Sequence, residues 1–266
     1  MKSVRRLTNR DLSRVFSYIK NEPEANLFIQ GDLELYGLES PNVTLYAFQD
    51  PWDCILLKYY SNFVLYSTNL TFNAKLVASF LEKQEKIEVL SAKESLLERM
   101  KPFYPHVKTQ GTYLCRCNKT SFNPIEGKTL PIKQLCKDDA RDIVTLYQHI
   151  EEFAKPYLEH TEEKLVQTAN NYEKGGVGFG LYMDDKLICT AYNTATTTTG
   201  AMIVGVATHP DYRKQGYASQ VVTRLCSFSF ESGLDFLCLF YDNPQAGAIY
   251  KRIGFETIGR WSMLKF

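Results

Sequence analysis

No apolar run in this 266-residue chain approaches the ~20 residues that a membrane-crossing helix requires. Its longer apolar stretches, such as residues 201–207, have the length of a strand. The N-terminus, MKSVRRLTNRDLSR, is basic but carries no apolar stretch of the kind a secretory signal uses. A surplus of one charge is also missing. Lys and Arg number 31 against 30 Asp and Glu, a net charge of +1, so neither nucleic acid nor an anionic membrane is expected as a main partner. The seven cysteines show no metal-ligand spacing. Cys115 and Cys117, two apart, fall on one face of a strand and read as free thiols, so no metal is expected. A reducing cytoplasm is the expected location. Finally, the chain contains neither G-x-x-x-x-G-K-[ST] nor G-x-G-x-x-G, which argues against a nucleotide-dependent kinase and a dinucleotide-binding loop.

What is present is ample core material, with 44% hydrophobic and 13% aromatic residues, arranged as two halves. The segment FNPIEGK, residues 122–128, gathers Asn, Pro and Gly without periodicity and reads as a linker. On either side of it Leu7, Asp11 and Val15 recur as Leu135, Asp139 and Ile143, a constant offset of 128 positions. Each half opens with a short extended piece leading into a helix, with Asp near its start, where the helix dipole favours negative charge. Each continues with strand-like runs and turn clusters, then strand, helix, strand. The expected fold class is α/β (α+β), two units that each wrap a mixed central sheet in helices. At the same offset, the first half offers VASFLEKQEKIEVLSA, residues 77–92, where the second has residues 205–220. The first version contains no glycine.

That second-half segment is the most informative. AMIVGVAT reads as a strand from its β-branched content. Ala218, Val221, Val222, Leu225 and Cys226 then recur at i, i+3, i+4, i+7 and i+8, one apolar helix face, with Gly233 as its stop. Between them lies THPDYRKQG, which sets Arg213, Lys214 and Gly216 at the helix N-terminus. The first-turn N–H groups there lack helical partners and carry partial positive charge. A glycine that leaves them uncovered makes an anion site, suited to phosphate.

The pattern R-x-x-G-x-A, Arg213 to Ala218, resembles the acyl-CoA-binding motif of the GNAT acetyltransferase superfamily. The following NPQAGAIYKRIGF matches that family's N-x-x-A-x-x-x-Y-x-x-x-G-F at Asn243, Ala246, Tyr250, Gly254 and Phe255. The resemblance covers residues 129–266, and only faintly residues 1–121, which it casts as a degenerate unit. It implies an enzyme that uses acetyl-CoA as co-substrate. Val206, Ala207 and Thr208 would line the pantetheine arm. Gln215, Gly216, Tyr217, Ala218 and Ser219 would offer main-chain donors to the pyrophosphate, with Arg213 and Lys214 adding charge. Asn243 and Ala246 would contact the coenzyme, and Tyr250 would protonate the departing thiolate. The plain alternative for Tyr250 is a ring packed in the core.

The strand over residues 201–208 has no acid to act as base; Glu151, Glu152, His149, His160 and Asp242 are candidates, none favoured. Thr161 is expected to cap a helix that ends at Gly175, and Phe153 and Tyr157 to stand near the acceptor. The expected acceptor is an amine of a small molecule or peptide. Tandem chains with one degenerate half are similar to glycine N-acyltransferase-like and mycothiol synthase-like proteins, which suggests a monomer. A non-catalytic acyl-CoA-binding or sensing protein is the alternative function.

Overall fold

The computed structural model describes residues 4–127 and 129–266; the first three residues of the expected first half, and Lys128 at the end of the expected linker, lie outside the described residues. The first half forms β1 (Val4–Arg6), α1 (Leu12–Ile19), α2 (Leu27–Tyr36), β2 (Val43–Phe48), β3 (Cys54–Tyr59), β4 (Asn62–Tyr66), α3 (Ala74–Leu81), β5 (Val89–Lys93), α4 (Glu94–Met100) and β6 (Lys108–Asn118). The second forms β7 (Ile132–Gln134), α5 (Ala140–Gln148), α6 (Glu151–Glu159), α7 (Thr161–Glu173), β8 (Gly178–Met183), β9 (Lys186–Thr194) and β10 (Gly200–Thr208). It ends with α8 (Tyr217–Glu231), β11 (Phe236–Tyr241), α9 (Pro244–Ile253) and β12 (Glu256–Lys265). The fold is mixed α/β, as expected. Among the described residues no helix is long and apolar enough to cross a membrane.

The chain divides into two units, one of residues 1–114, Phe240–Asp242 and Thr257–Phe266, the other of Cys115–Leu239 and Asn243–Glu256. In the first, the strands run β1-β2-β3-β4-β5-β12. β1 through β4 pair antiparallel, β4 and β5 parallel, and β12 antiparallel on β5 from Trp261↔Lys93 to Lys265↔Val89. Period-2 alternation covers both faces. On β3, Cys54 and Leu56 join a core with Phe48, Phe63, Val77, Leu97 and Leu264. Ile55 and Leu57 join another with Leu7, Val15 and Leu45. In the second unit the order is β11-β10-β9-β8-β7. All neighbours there are antiparallel except β10 and β11.

The repeated opening has a shared geometry. Asp11 Oδ2 accepts from the Thr8 amide at 3.0 Å and Asp139 Oδ2 from the Cys136 amide at 2.9 Å. Arg5 pairs with Asp11 and Lys133 with Asp139, both at 2.8 Å. The constant offset does not persist, because the second half has α6 and α7 where the first has α2, and a longer β9 and β10. The first unit's strand-to-helix crossover is therefore residues 67–73, between β4 and α3, rather than 77–92. It too lacks glycine, and the Asn73 side chain caps α3 by accepting from the Leu76 amide at 3.0 Å. Thr161 also differs from expectation. It is the first residue of α7, and its hydroxyl donates back to the Tyr157 carbonyl at 2.8 Å instead of capping the helix. Residues 122–127 have no regular structure, and the Asn123 amide donates to the Ile253 carbonyl at 2.8 Å.

Candidate active site

β10 is paired on both sides only near its start. Parallel pairs with β11 run from Gly200↔Phe236 to Ile203↔Leu239 and then stop, although β10 continues to Thr208. On the other side the register with β9 slips between Val204 and Ala207. Gly205 and Val206 thus form a bulge without ladder partners. Gly205 takes φ +61, and a Cβ there would strike the Tyr192 and Tyr147 side chains at 2.2 and 2.3 Å. Tyr147 Oη donates to the Gly205 carbonyl at 3.1 Å, which satisfies the oxygen the bulge releases. Ala207 is buried and Val206 and Thr208 half-buried.

The crossover loop is tied down at its base. His209 is buried, its Nε2 is 2.9 Å from Lys186 Nζ, and its amide donates to the Ile188 carbonyl at 2.8 Å. Burial, then the Lys186 charge, hold its pKa below the usual histidine value. Arg213 Nε donates to the Thr208 carbonyl at 3.2 Å. Past these anchors the loop is open, with Arg213, Lys214, Gln215 and Gly216 exposed. Gly216 is the N-cap of α8 at φ 82, ψ 2, a left-handed conformation suited to glycine. A Cβ there would meet nothing within 4 Å. Tyr217 and Ala218 are half-buried, Ser219 is buried, and their amides open the first turn.

α9 follows β11 and carries the second motif. Asn243 is its exposed N-cap, with Oδ1 accepting from the Gln245 amide at 2.9 Å; Ala246 is half-buried. Tyr250 lies two turns on and is 7% exposed. Burial, with lesser effects from the Cys189 and Cys115 thiols, pushes its pKa up to about 12. Cys189 Sγ in turn stands 3.2 Å from Thr208 Oγ1, so the phenol shares its surroundings with the end of β10.

Beside the bulge lies a cavity of about 190 Å³, lined by Ile143 and Tyr147 of α5, Tyr157 of α6, Tyr192 and Thr194 of β9, and five residues of α7. Those five, Lys164, Gln167, Thr168, Asn171 and Tyr172, recur at i, i+3, i+4, i+7 and i+8, one face of the helix. Tyr157 was expected near the acceptor. Phe153 instead packs edge-on to Tyr147, with ring centroids 5.2 Å apart, and does not line the cavity. The other tyrosines and the α7 face were missed, although that polar stripe at helical spacing is visible in the sequence. None of the candidate bases lines the cavity: Glu151, Glu152 and Asp242 are exposed, His149 stacks near His209 at 5.0 Å, and His160 joins α6 to α7.

A family model described as GNAT acetyltransferase matches residues 49–264. No curated protein matches the chain. Among solved structures, a GCN5-related N-acetyltransferase-like protein from Streptococcus suis superposes with TM-score 0.63 at 15% identity, covering 98% of this chain and 100% of that one. An acetyltransferase of the GNAT family from Colwellia psychrerythraea gives 0.59 at 14% identity, with 99% of each chain covered. A tandem GNAT protein from the clavulanic acid biosynthesis pathway gives 0.64 at 11% identity, over 99% of this chain and 97% of that one. At such identities these structures speak for the fold alone. The family model spans most of the sequence and includes the open helix terminus, the bulged strand and the tyrosine of α9: the chain belongs to the GNAT acetyltransferase family.

Proposed function

We propose that the chain is an acyl-CoA-dependent N-acetyltransferase whose second unit carries the reaction, with acetyl-CoA as co-substrate and an amine as acceptor. The observation that carries this reading is the β10–α8 crossover. There the N-terminus of a 15-residue helix stands open behind Gly216, next to a strand segment paired with neither neighbour. The fit to a pyrophosphate is steric: the space a Gly216 side chain would fill is empty. The amides of Gln215 to Ser219 would hold the phosphate oxygens, and the exposed Arg213 and Lys214 would add charge-assisted contacts. The main chain of Val206, lacking ladder partners, is suited to pair with the amides of a pantetheine arm, with Ala207 and Thr208 alongside. Asn243 has its oxygen committed to the helix cap, which leaves its NH₂ as donor to the arm near Ala246.

Bound there, acetyl-CoA supplies an acyl group activated as a thioester. The neutral amine forms the new C–N bond and releases one N–H proton to solvent, the C–S bond breaks, and the thiolate takes up a proton. Tyr250 is the group suited to receive the charge that develops on sulfur. Its raised pKa keeps the phenol protonated at neutral pH, and it can pass that proton to the thiolate. Calorimetric titration with acetyl-CoA tests the reading. Micromolar binding is expected, weakened tenfold or more in Gly216→Val, with thiol release when an amine is added. Unchanged affinity in the variant sinks the loop assignment. Tight binding without thiol release across a panel of amines favours a non-catalytic acyl-CoA-binding protein.

A further inference from the structure

An amphipathic helix ordinarily turns its apolar face inward. α7 departs from that rule. Lys164, Gln167, Thr168, Asn171 and Tyr172 face the cavity, while Val166 is 59% exposed. No residue of α7 is fully buried, and of this face Tyr172 alone packs against the core of the second unit. A polar stripe along the wall of a partly open cavity suits a polar occupant.

The sign of the stripe identifies that occupant. Among the described residues no acid lines the cavity, and its one charged residue is Lys164. Lys164 Nζ donates to Gln167 Oε1 at 2.8 Å and stands 5.7 Å from the Tyr157 ring centre. Its partner is neutral, so two of its three ammonium hydrogens and its full charge remain available. Glu163 is spoken for differently: its Oε1 accepts from Gln167 Nε2 at 2.7 Å, and it does not line the cavity. One and two turns along α7, Thr168 and Asn171 carry side chains with no hydrogen-bond partner among the described residues. The opposite wall is aromatic, made by Tyr147, Tyr157 and Tyr192. The Tyr147 hydroxyl and the Tyr192 ring also meet Gly205, so the wall adjoins the bulge of β10.

Resting on the acetyltransferase reading above, we infer that the acceptor is an amine that also bears a carboxylate and an apolar, ring-sized body. The carboxylate is held by Lys164 with Asn171 and Thr168, and the body lies among the tyrosines. A cavity with one cation and no acid selects against polyamines and other multiply charged ammonium acceptors.

The test compares each aromatic amino acid with its decarboxylated amine: phenylalanine with phenethylamine, and tyrosine with tyramine. Acetyl-CoA binding is measured by calorimetry in the same samples. The wild type is expected to show a kcat/KM at least tenfold higher for the amino acid. Lys164→Gln should raise KM for the amino acid about tenfold and leave KM for the amine, and the acetyl-CoA affinity, unchanged. Lys164→Glu should invert the preference. A wild type that prefers the amines overturns the inference, as does a Lys164→Gln variant that slows both members of a pair equally. So does a protein that binds acetyl-CoA but acetylates none of the four; that outcome leaves the coenzyme site standing. A protein that fails to bind acetyl-CoA overturns the acetyltransferase reading itself, a failure of the other site.

Discussion

Tyr250 concentrates the chemistry of the proposed reaction in one buried hydroxyl. Its pKa of about 12 means the phenol holds its proton across the whole working range and meets the departing sulfur as a hydrogen-bond donor, giving up the proton only as the C–S bond breaks. Tyr250→Phe should lower kcat about 10²-fold, the lower end of general-acid effects, while calorimetry finds the acetyl-CoA affinity within twofold of the wild type. The sign of the pH effect follows. An acid must be protonated to act, so Tyr250 imposes no alkaline fall in rate below about pH 10. A decline centred near pH 8 that vanished in Tyr250→Phe would contradict the buried environment. The placement of Tyr250, Gly216 and Asn243 was legible in the sequence because each holds a locally encoded backbone position: a ring two turns into a helix, a left-handed turn, a helix N-cap. Tyr147, Lys164 and Tyr192 were not. They come from a helix, a second helix and a strand, and only the tertiary fold brings them to one cavity.

The two repeated helix openings were legible for the same local reason, whereas the start of α7 was not. The openings around Asp11 and Asp139 repeat a carboxylate that takes a main-chain amide and a basic side chain three and six residues upstream. For Asp139, burial opposes ionisation. Lys133, the Cys136 amide and the Tyr182 hydroxyl outweigh it and hold the pKa below the usual carboxylate range. A carboxylate depressed in the folded state stabilises above its unfolded value, near pH 4, and the contribution is lost as the folded group protonates at lower pH. Asp139→Ala should therefore cost about 1–2 kcal/mol at neutral pH. Its denaturant stability should also fall less steeply than the wild type's below pH 4. A variant as stable as the wild type at pH 7 would show that the repeated opening is incidental. The offset of 128 was legible only here, where no insertion intervenes; the added helix and longer strands of the second half shift everything after it.

At the scale of the whole molecule, the least legible feature is where the chain's final strand goes. β12 pairs with β5, a partner more than 160 positions away in sequence, and places Leu264 in the first unit's core. No local pattern encodes a pairing of that span; alternation marks β12 as a strand and is silent on its neighbour. Leu264→Ala, at a side chain with 0% exposure, should cost about 2–5 kcal/mol. The loss should appear in hydrogen exchange at β4 and β5 more than at β8 and β9. A chain ending at residue 256 should lose protection throughout β5, and unchanged exchange there would refute the role given to β12. The same strand bears on how the protein is made. Domains of a growing chain ordinarily fold in order, the N-terminal one first. Here the unit that emerges first waits for residues 257–265, made only after the whole of the second unit, so its sheet is completed last.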